Sequence, residues 1–510
     1  MQNSTKKNYI LIGFIVIKFA LQYILVSPEY GLHRDEFLHL DQGHHLAWGY
    51  LSVPPFTSWL SYLIYKLGNT LFWIRFFPAL FGALTLFIVW KTIEALNGGI
   101  FALILGTTAL LFSVLLRLNI LYQPNSMDVL AWATCSYLLL RYIQTRQNTW
   151  LYGMALAFAL GFLNKYNIIF LIIGLVPALL LTKQRAVFTK PIFYLALLLA
   201  ILLIAPNLLW QYQNHFPVFH HLQELQETQL VNVNRFDFLK EQVLYFTGSF
   251  LIILAGLYAL LFYPPYQKYR FFFWSFGFTF ILFVYLKAKA YYAIGLYPIY
   301  IAFGSAYLGE ALKKINWATY LQPVLIAIPI LCFIPVYRVA FPNKSPEYII
   351  KHAENYRNLG MLRWEDGKDH ILPQDFADML GWKELAHKVD SIYAQLSDPK
   401  HTLIFCDNYG QAGAINYYAK KVPHNAVSFN ADYIHWFDFN QPHYHLIRVI
   451  NYSDVQAEIH DISPYFEHTQ ISGMVSNVYA REHGTTIVCF QNAKIDVNAH
   501  IKEEIKDLAF

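Results

Sequence analysis

Apolar runs follow one another through the first two thirds of the chain, separated by short polar breaks, and the pattern changes near Arg338. Stretches of roughly 17 to 25 apolar residues with few charges predict membrane-crossing helices. The candidate segments are 9–26, 71–93, 100–116, 128–144, 150–164, 168–182, 192–209, 243–262, 271–286, 291–309 and 317–337. They predict a polytopic α-helical membrane protein with about eleven transmembrane helices. The first segment follows MQNSTKK and has no small-residue cleavage site after it, so it reads as an uncleaved first helix.

Beyond Arg338 the apolar runs shorten and charge rises. Helices are expected at 376–396 and 410–420, and strands at 402–406, 426–429, 444–450 and 485–491. Alternating elements of this kind predict a small soluble α/β domain. The expected division is therefore a membrane domain over 1–337, carrying a first outer loop at 27–70, and a soluble domain over 338–510. With the N-terminus inside, an odd number of spans puts the soluble domain outside. A slight excess of Lys and Arg on the inner loops agrees with that orientation. The long polar segments, 27–70 and 210–242, then lie on the outer side, and a membrane protein that builds its polar volume on one face is expected to work there.

The first outer loop, SPEYGLHRDEFLHLDQGHHLAWGYLSVPPFTSWL, is too polar to span and too apolar to be a free loop. From Arg34 to Tyr50 a helical wheel places Phe37, Leu40, His44, Trp48 and Leu51 on one side and Asp35, His39 and Gln42 on the other. That pattern predicts an amphipathic helix along the membrane surface, ended by Pro54–Pro55.

Composition sharpens the class. Hydrophobic residues make up 56% of the 510 and charged residues 14%, well short of soluble-protein charge content, while the net charge of +5 gives no case for nucleic acid. The four cysteines have no zinc-like spacing. Cys135 and Cys332 read as helix-packing residues. Cys406 and Cys489 read as buried thiols on strands, although an oxidising compartment would permit a disulfide between them.

Several residues have the types that chemistry at a membrane surface needs. Asp35 and Glu36 stand just beyond the outer end of the first helix, where a carboxylate can act as general base, its pKa raised by a partly dry interface; equally, RDE reads as an ion-paired helix N-terminus. Asp128, in YQPNSMDVLAW, reads as an acid capping its helix or as a group that helps hold an acceptor or a metal. Lys165, Lys287 and Lys289 fall at outer helix ends, against the positive-inside trend, which points to an anionic lipid head group more than to snorkelling. His33, His39, His44 and His45 share their loop with Asp35, Glu36 and Asp41 without a recognised ligand spacing. In CDNYGQAGAINYYAKK, Gly410 and Gly413 read as tight-turn glycines or as points of close backbone approach to a ligand.

Six strings, in order, carry a resemblance: RDEFLHLDQGHHLAWGYLSVPPF, GFLNKYNIIF, PNLLWQ, KAYYAIGLYPIYIAFG, LPQDFADMLGWKEL and NYGQAGAINYY. Through them nearly the whole chain resembles the bacterial family-39 glycosyltransferases, relatives of protein O-mannosyltransferases and lipid A aminoarabinose transferases. All are membrane enzymes of the GT-C superfamily. The resemblance implies a sugar donor on a polyprenyl phosphate and displacement at the anomeric carbon at the periplasmic face of a bacterial inner membrane. It implies Asp35 as base with Glu36 supporting it. It has Lys289 contacting the donor phosphate and matches Lys165 to the lysine of its NKY motif. Beside the resemblance, Lys287, Lys165 and Arg34 are read as further phosphate-binding cations, and Asp128 and His39 as acceptor or auxiliary residues.

The aminoarabinose transferases carry Glu-Lys directly before the Pro-Pro of this loop, where this chain has Ser52 and Val53. That departure removes a phosphate-binding lysine and a zinc ligand, so the resemblance carries over neither aminoarabinose transfer nor a metal site. A Mg²⁺ or Mn²⁺ at the donor phosphate is chemically reasonable. The acceptor, whether glycan, lipid or protein, is not specified by the sequence. A transporter or flippase of a lipid-linked anion would use the same lysines but calls for charged or broken helices at the midplane and inverted repeats. A membrane scaffold would leave the charged outer loop without a purpose.

Overall fold

The computed structural model describes residues 2–228 and 230–508. The chain divides into two compact units. One comprises Met1–Val26, Val53–Phe56 and Asn69–Asn343; the other comprises Ser27–Ser52, Thr57–Gly68 and Lys344–Phe510.

In the first unit every expected apolar segment holds a helix: Gln2–Ile24, Leu71–Ala95, Ile100–Leu111, Asn125–Thr145, Thr149–Asn164, Ile169–Leu180, Pro191–Gln213, Phe250–Phe262, Phe271–Tyr285, Pro298–Leu312 and Ala318–Ala340. Proline opens two of them, Pro191–Gln213 and Pro298–Leu312, where its missing N–H costs nothing. Four helices among the described residues are long and apolar enough to cross a membrane, and counting each of two bent pairs as one span gives up to six. The fold is thus helical with several membrane-length spans, but length and composition do not reach the expected eleven or so. The shortfall has a local cause. A 12-residue helix such as Ile100–Leu111 rises only about 18 Å, against a hydrocarbon core of about 30 Å.

Small residues set the closest helix packing. Gly256 on Phe250–Phe262 and Gly304 on Pro298–Leu312 face each other's backbones, and a methyl group at Gly304 would overlap the carbonyl of Ile252. Backbone cannot yield as a flexible side chain can, so the helices must separate. Gly304→Val is expected to lower stability by about 2 kcal/mol or more, read as an earlier thermal unfolding midpoint in detergent. An unchanged midpoint would show that the two helices can part without loss.

The second unit is built on a five-stranded sheet of order β2-β1-β3-β5-β4, formed by β1 Thr402–Cys406, β2 Val427–Ser428, β3 His445–Ile450, β4 Phe466–Met474 and β5 Thr486–Ala493. β1 is parallel to β2 and β3, and β5 is antiparallel to β3 and β4. The expected α/β character is present. All four expected strands are found, and β4 is an addition. Leu403, Phe405, Leu446, Val488 and Phe490 form the centre of the core on one face. Cys406 pairs in register with Val449 and Cys489 with Ile447, both on β3. The two cysteines are thus two strands apart, roughly 10 Å, beyond the ~7 Å that a disulfide spans between Cα atoms. Both are buried free thiols.

The outer-loop residues 27–52 and 57–68 cluster with 344–510 because the loop helix finds partners there on both faces. That helix is shorter than the pattern predicted. It runs from Arg34 to Gln42, and Gly43 ends it. It is also not a surface helix, since every residue from Glu36 to Gln42 is buried. Phe37 packs against Trp382, Tyr417 and Tyr418 at ring distances of 5.7 to 6.0 Å, and its burial contributes about 1.5 to 3 kcal/mol. The polar face is buried through specific partners instead of facing water: Gln42 donates to Asp432 at 2.8 Å, and Asp41 accepts from Tyr433 and Asn416. Gly410 and Gly413 are explained by the same packing. They lie inside the helix Tyr409–Tyr418, and a Cβ would meet Arg34 Cγ at 2.6 Å from the first and Phe37 Cβ at 2.6 Å from the second. They make neither a tight turn nor a ligand cradle. They let one helix lie directly on another.

Candidate active site

In the second unit, Asp35 sits in the first turn of the Arg34–Gln42 helix. His33 caps that helix. Its Nδ1 accepts the Asp35 N–H at 3.2 Å, and Glu36 turns back to accept the His33 N–H at 2.6 Å. This reciprocal pair is a capping box. It occupies Glu36, which is fully buried, in holding the turn. His39 is buried as well, with its ring 3.2 Å from Gln42 Oε1.

Asp35 differs from these neighbours: its side chain is 39% exposed. Tyr409 donates its hydroxyl to Asp35 Oδ1 at 2.7 Å, and the Arg34 guanidinium lies over the Tyr409 ring at 4.2 Å. The Arg34 N–H bonds the carbonyl of Asp378, whose buried carboxylate is gripped by Arg481 at 3.2 Å on both oxygens. Burial alone would raise the Asp35 pKa, as the sequence suggested. His33, the Tyr409 hydrogen bond and Arg34 outweigh it and hold the carboxyl below its ordinary value. The expected upward shift is therefore corrected to a downward one, and Asp35 is ionised at neutral pH.

In the first unit a second group forms where the helix Thr149–Asn164 breaks. Lys165, in extended backbone, donates to Asn125 Oδ1 at 2.6 Å and lies over the rings of Tyr292 and Tyr291 at 4.4 and 5.0 Å. Burial lowers it to about 8, with Asp128 opposing the shift and Lys289 adding to it. Asp128 stands in the first turn of Asn125–Thr145 as the sequence indicated. Its two oxygens accept from Trp132 at 3.1 Å and Asn167 at 2.7 Å, and Asn167 also holds the carbonyl of Tyr292 at 3.0 Å. Tyr166, next to Lys165, donates to Asn207 and accepts from Gln211, both at 3.0 Å. Three of the strings singled out in the sequence, NKYN, PNLLWQ and KAYY, thus form one network with Asp128. Lys289 opens the KAYY segment, half-buried, and Lys287 is exposed with a positive φ of 51°.

The structure therefore brings Lys165, Lys289 and Asp128 into one neighbourhood and Arg34, Asp35, Glu36 and His39 into another. Sequence reasoning did not single out Tyr409, Asp378, Asn125 or Asn167. All four lay inside quoted strings, but a string does not say which residue meets which. Among the described residues no group of three or more His, Cys, Asp or Glu is placed to hold a metal ion. The histidine loop supplies aromatic and capping contacts, with His44 4.1 Å from the His424 ring and His45 stacked on Trp436.

Comparison with known proteins agrees with the resemblance read from the strings. Residues 52–210 match the family model described as dolichyl-phosphate-mannose-protein mannosyltransferase. The chain is 24% identical over 242 residues to the lipid A galacturonosyltransferase RgtD of Rhizobium johnstonii, a match covering 46% of this chain and 49% of that one. It thus spans about half the length of that curated relative. Its fold is similar to that of ArnT from Cupriavidus metallidurans. The TM-score is 0.60 at 12% identity to the structure bound to undecaprenyl phosphate, covering 94% of this chain and 97% of that one. It is 0.62 at 13% identity to the apo structure, covering 94% and 98%. The likeness in fold to ArnT spans nearly the whole chain, and the matches in sequence cover part of it.

Proposed function

We propose that this protein transfers a sugar from a polyprenyl-phosphate donor to an acceptor hydroxyl at the periplasmic face of a bacterial inner membrane. In the reaction the acceptor oxygen attacks the anomeric carbon and its proton passes to Asp35. The bond from the anomeric carbon to the phosphate oxygen breaks, and its electron pair leaves with the polyprenyl phosphate. The observation that carries the reading is the Asp35 carboxylate, held ionised and partly exposed beside the buried His33, Glu36 and His39. A carboxylate held below its ordinary pKa is a weak base toward a resting alcohol. It becomes competent as the new C–O bond makes the acceptor proton acidic, so proton transfer accompanies displacement.

Lys165 and Lys289 supply positive charge suited to a phosphate leaving group. The undecaprenyl phosphate bound by ArnT, a polyprenyl phosphate of the kind that would leave, and the lipid A in the name of the RgtD relative support this substrate class. Lys289→Ala is expected to raise the KM for the lipid-linked donor by about tenfold or more, the worth of a charge-assisted hydrogen bond. Unchanged donor KM and turnover would remove Lys289 from donor binding. The reading as a whole is tested with the purified protein in lipid vesicles, given a panel of radiolabelled polyprenyl-phosphate sugars and envelope extract as acceptor source. Release of label from one donor supports it, and no release from any of them overturns it.

A further inference from the structure

We propose that Tyr409, in the segment following the membrane helices, is a positioning residue for Asp35: its hydroxyl holds one carboxylate oxygen and so fixes the orientation of the carboxylate. The inference rests on the reading of Asp35 as base and assigns part of the active site to the C-terminal half of the chain.

The contact joins residues 374 positions apart, from Tyr409 to Asp35 Oδ1 at 2.7 Å. Tyr409 is held from several directions. It is the first residue of the Tyr409–Tyr418 helix, whose N-cap Asn408 accepts from the N–H groups of Gly410 and Gln411 at 2.9 and 3.1 Å. Its own N–H donates to Asn430 at 3.4 Å, and the Arg34 guanidinium covers its ring. Gly410 matters because a side chain there would displace the stem of Arg34. The phenol is thereby placed by backbone and packing together. The second oxygen, Oδ2, pairs with His33 Nδ1 at 3.9 Å.

A phenol donating to a carboxylate does two things. It locks the carboxylate rotamer, and it stabilises the charged form. Burial and the Asp35 charge push the Tyr409 phenol well up, so it remains the donor throughout the neutral range. The other charged groups facing Asp35 and Arg34 are His33, His39, Asp378 and Glu482. Without the Tyr409 hydroxyl, burial has one less opponent and the Asp35 carboxyl moves up.

The test is Tyr409→Phe, which keeps the ring beneath Arg34 and removes only the hydroxyl. In the donor-release assay kcat is expected to fall about tenfold with donor KM unchanged. The acidic limb of the kcat–pH profile is expected to move upward, while the thermal unfolding midpoint stays near wild type. Wild-type kcat with a superimposable profile overturns the proposal. A lower kcat with an unmoved acidic limb overturns it as well, because the loss would then not act through Asp35. Failure of the underlying reading is distinguishable: Asp35→Asn would itself retain near-normal turnover.

Discussion

Asp35→Asn is expected to reduce sugar transfer by a factor on the order of a thousand while leaving the fold intact. Asparagine has nearly the shape of aspartate and keeps an oxygen that accepts the Tyr409 hydroxyl. The half-exposed position puts no new unpaired amide into the interior. What disappears is the proton acceptor. The attacking oxygen must then shed its proton to water, and the positioned general-base contribution, about 10² to 10⁴ in typical enzymes, is lost. The measurement is turnover of radiolabelled donor by wild type and variant side by side, with matching unfolding midpoints as the control for folding. Near-normal turnover in the variant would remove Asp35 as the base. In wild type, the acidic limb belonging to Asp35 is expected below the ordinary Asp value of 3.8, so carboxylate titration leaves the rate flat across neutral pH.

Asp41→Ala is expected to destabilise the second unit by about 3 to 5 kcal/mol. Asp41 is 2% exposed on the Arg34–Gln42 helix. Its Oδ2 accepts from Tyr433 at 2.6 Å and Asn416 at 2.8 Å, and its Oδ1 pairs with His424 at 2.9 Å. Truncation leaves Tyr433, Asn416 and His424 without this acceptor, and for the fully buried Tyr433 hydroxyl the lost partner costs more than the bond is worth on a surface. Thermal unfolding and limited proteolysis would read the loss. Asp41→Asn, which keeps an acceptor, is expected to fall between the two. A wild-type midpoint in Asp41→Ala would mean the helix is held by its apolar face alone.

The ion pair carries a pH signature of known sign. Burial lowers the His424 pKa, but Asp41 and the Asn416 carbonyl outweigh it and raise it above 6.5. The contribution is therefore fully present below the ordinary histidine value and lost as pH rises through the raised one. The unfolding midpoint of the wild type should decline across that window, and Asp41→Asn should flatten the decline.

Patterns that depend on neighbours in sequence were legible. The eleven apolar segments each hold a helix, because in a low-dielectric interior an apolar run must satisfy its backbone within itself. Strands rich in Val, Ile and Phe, such as Thr402–Cys406 and Thr486–Ala493, were equally clear. β4, FEHTQISGM, was not, since most of an edge strand faces water and its side chains need no apolar alternation.

The limits of the loop helix and the partners of its polar face were decided elsewhere. Arg34–Tyr50 has the wheel of a surface helix, yet Asp41 and Gln42 meet Asn416, Tyr433 and Asp432, about 390 residues further along the chain. The sequence by itself determined the helical membrane class, the α/β character of the C-terminal part and the acid and lysines worth testing. Composition and periodicity are local quantities that each segment carries alone. Only the tertiary structure decided that Glu36 caps while Asp35 is exposed, that Asp35 is held ionised, and that Tyr409 holds it. Those outcomes depend on burial and on hydrogen-bond partners from distant segments, and no local pattern encodes either.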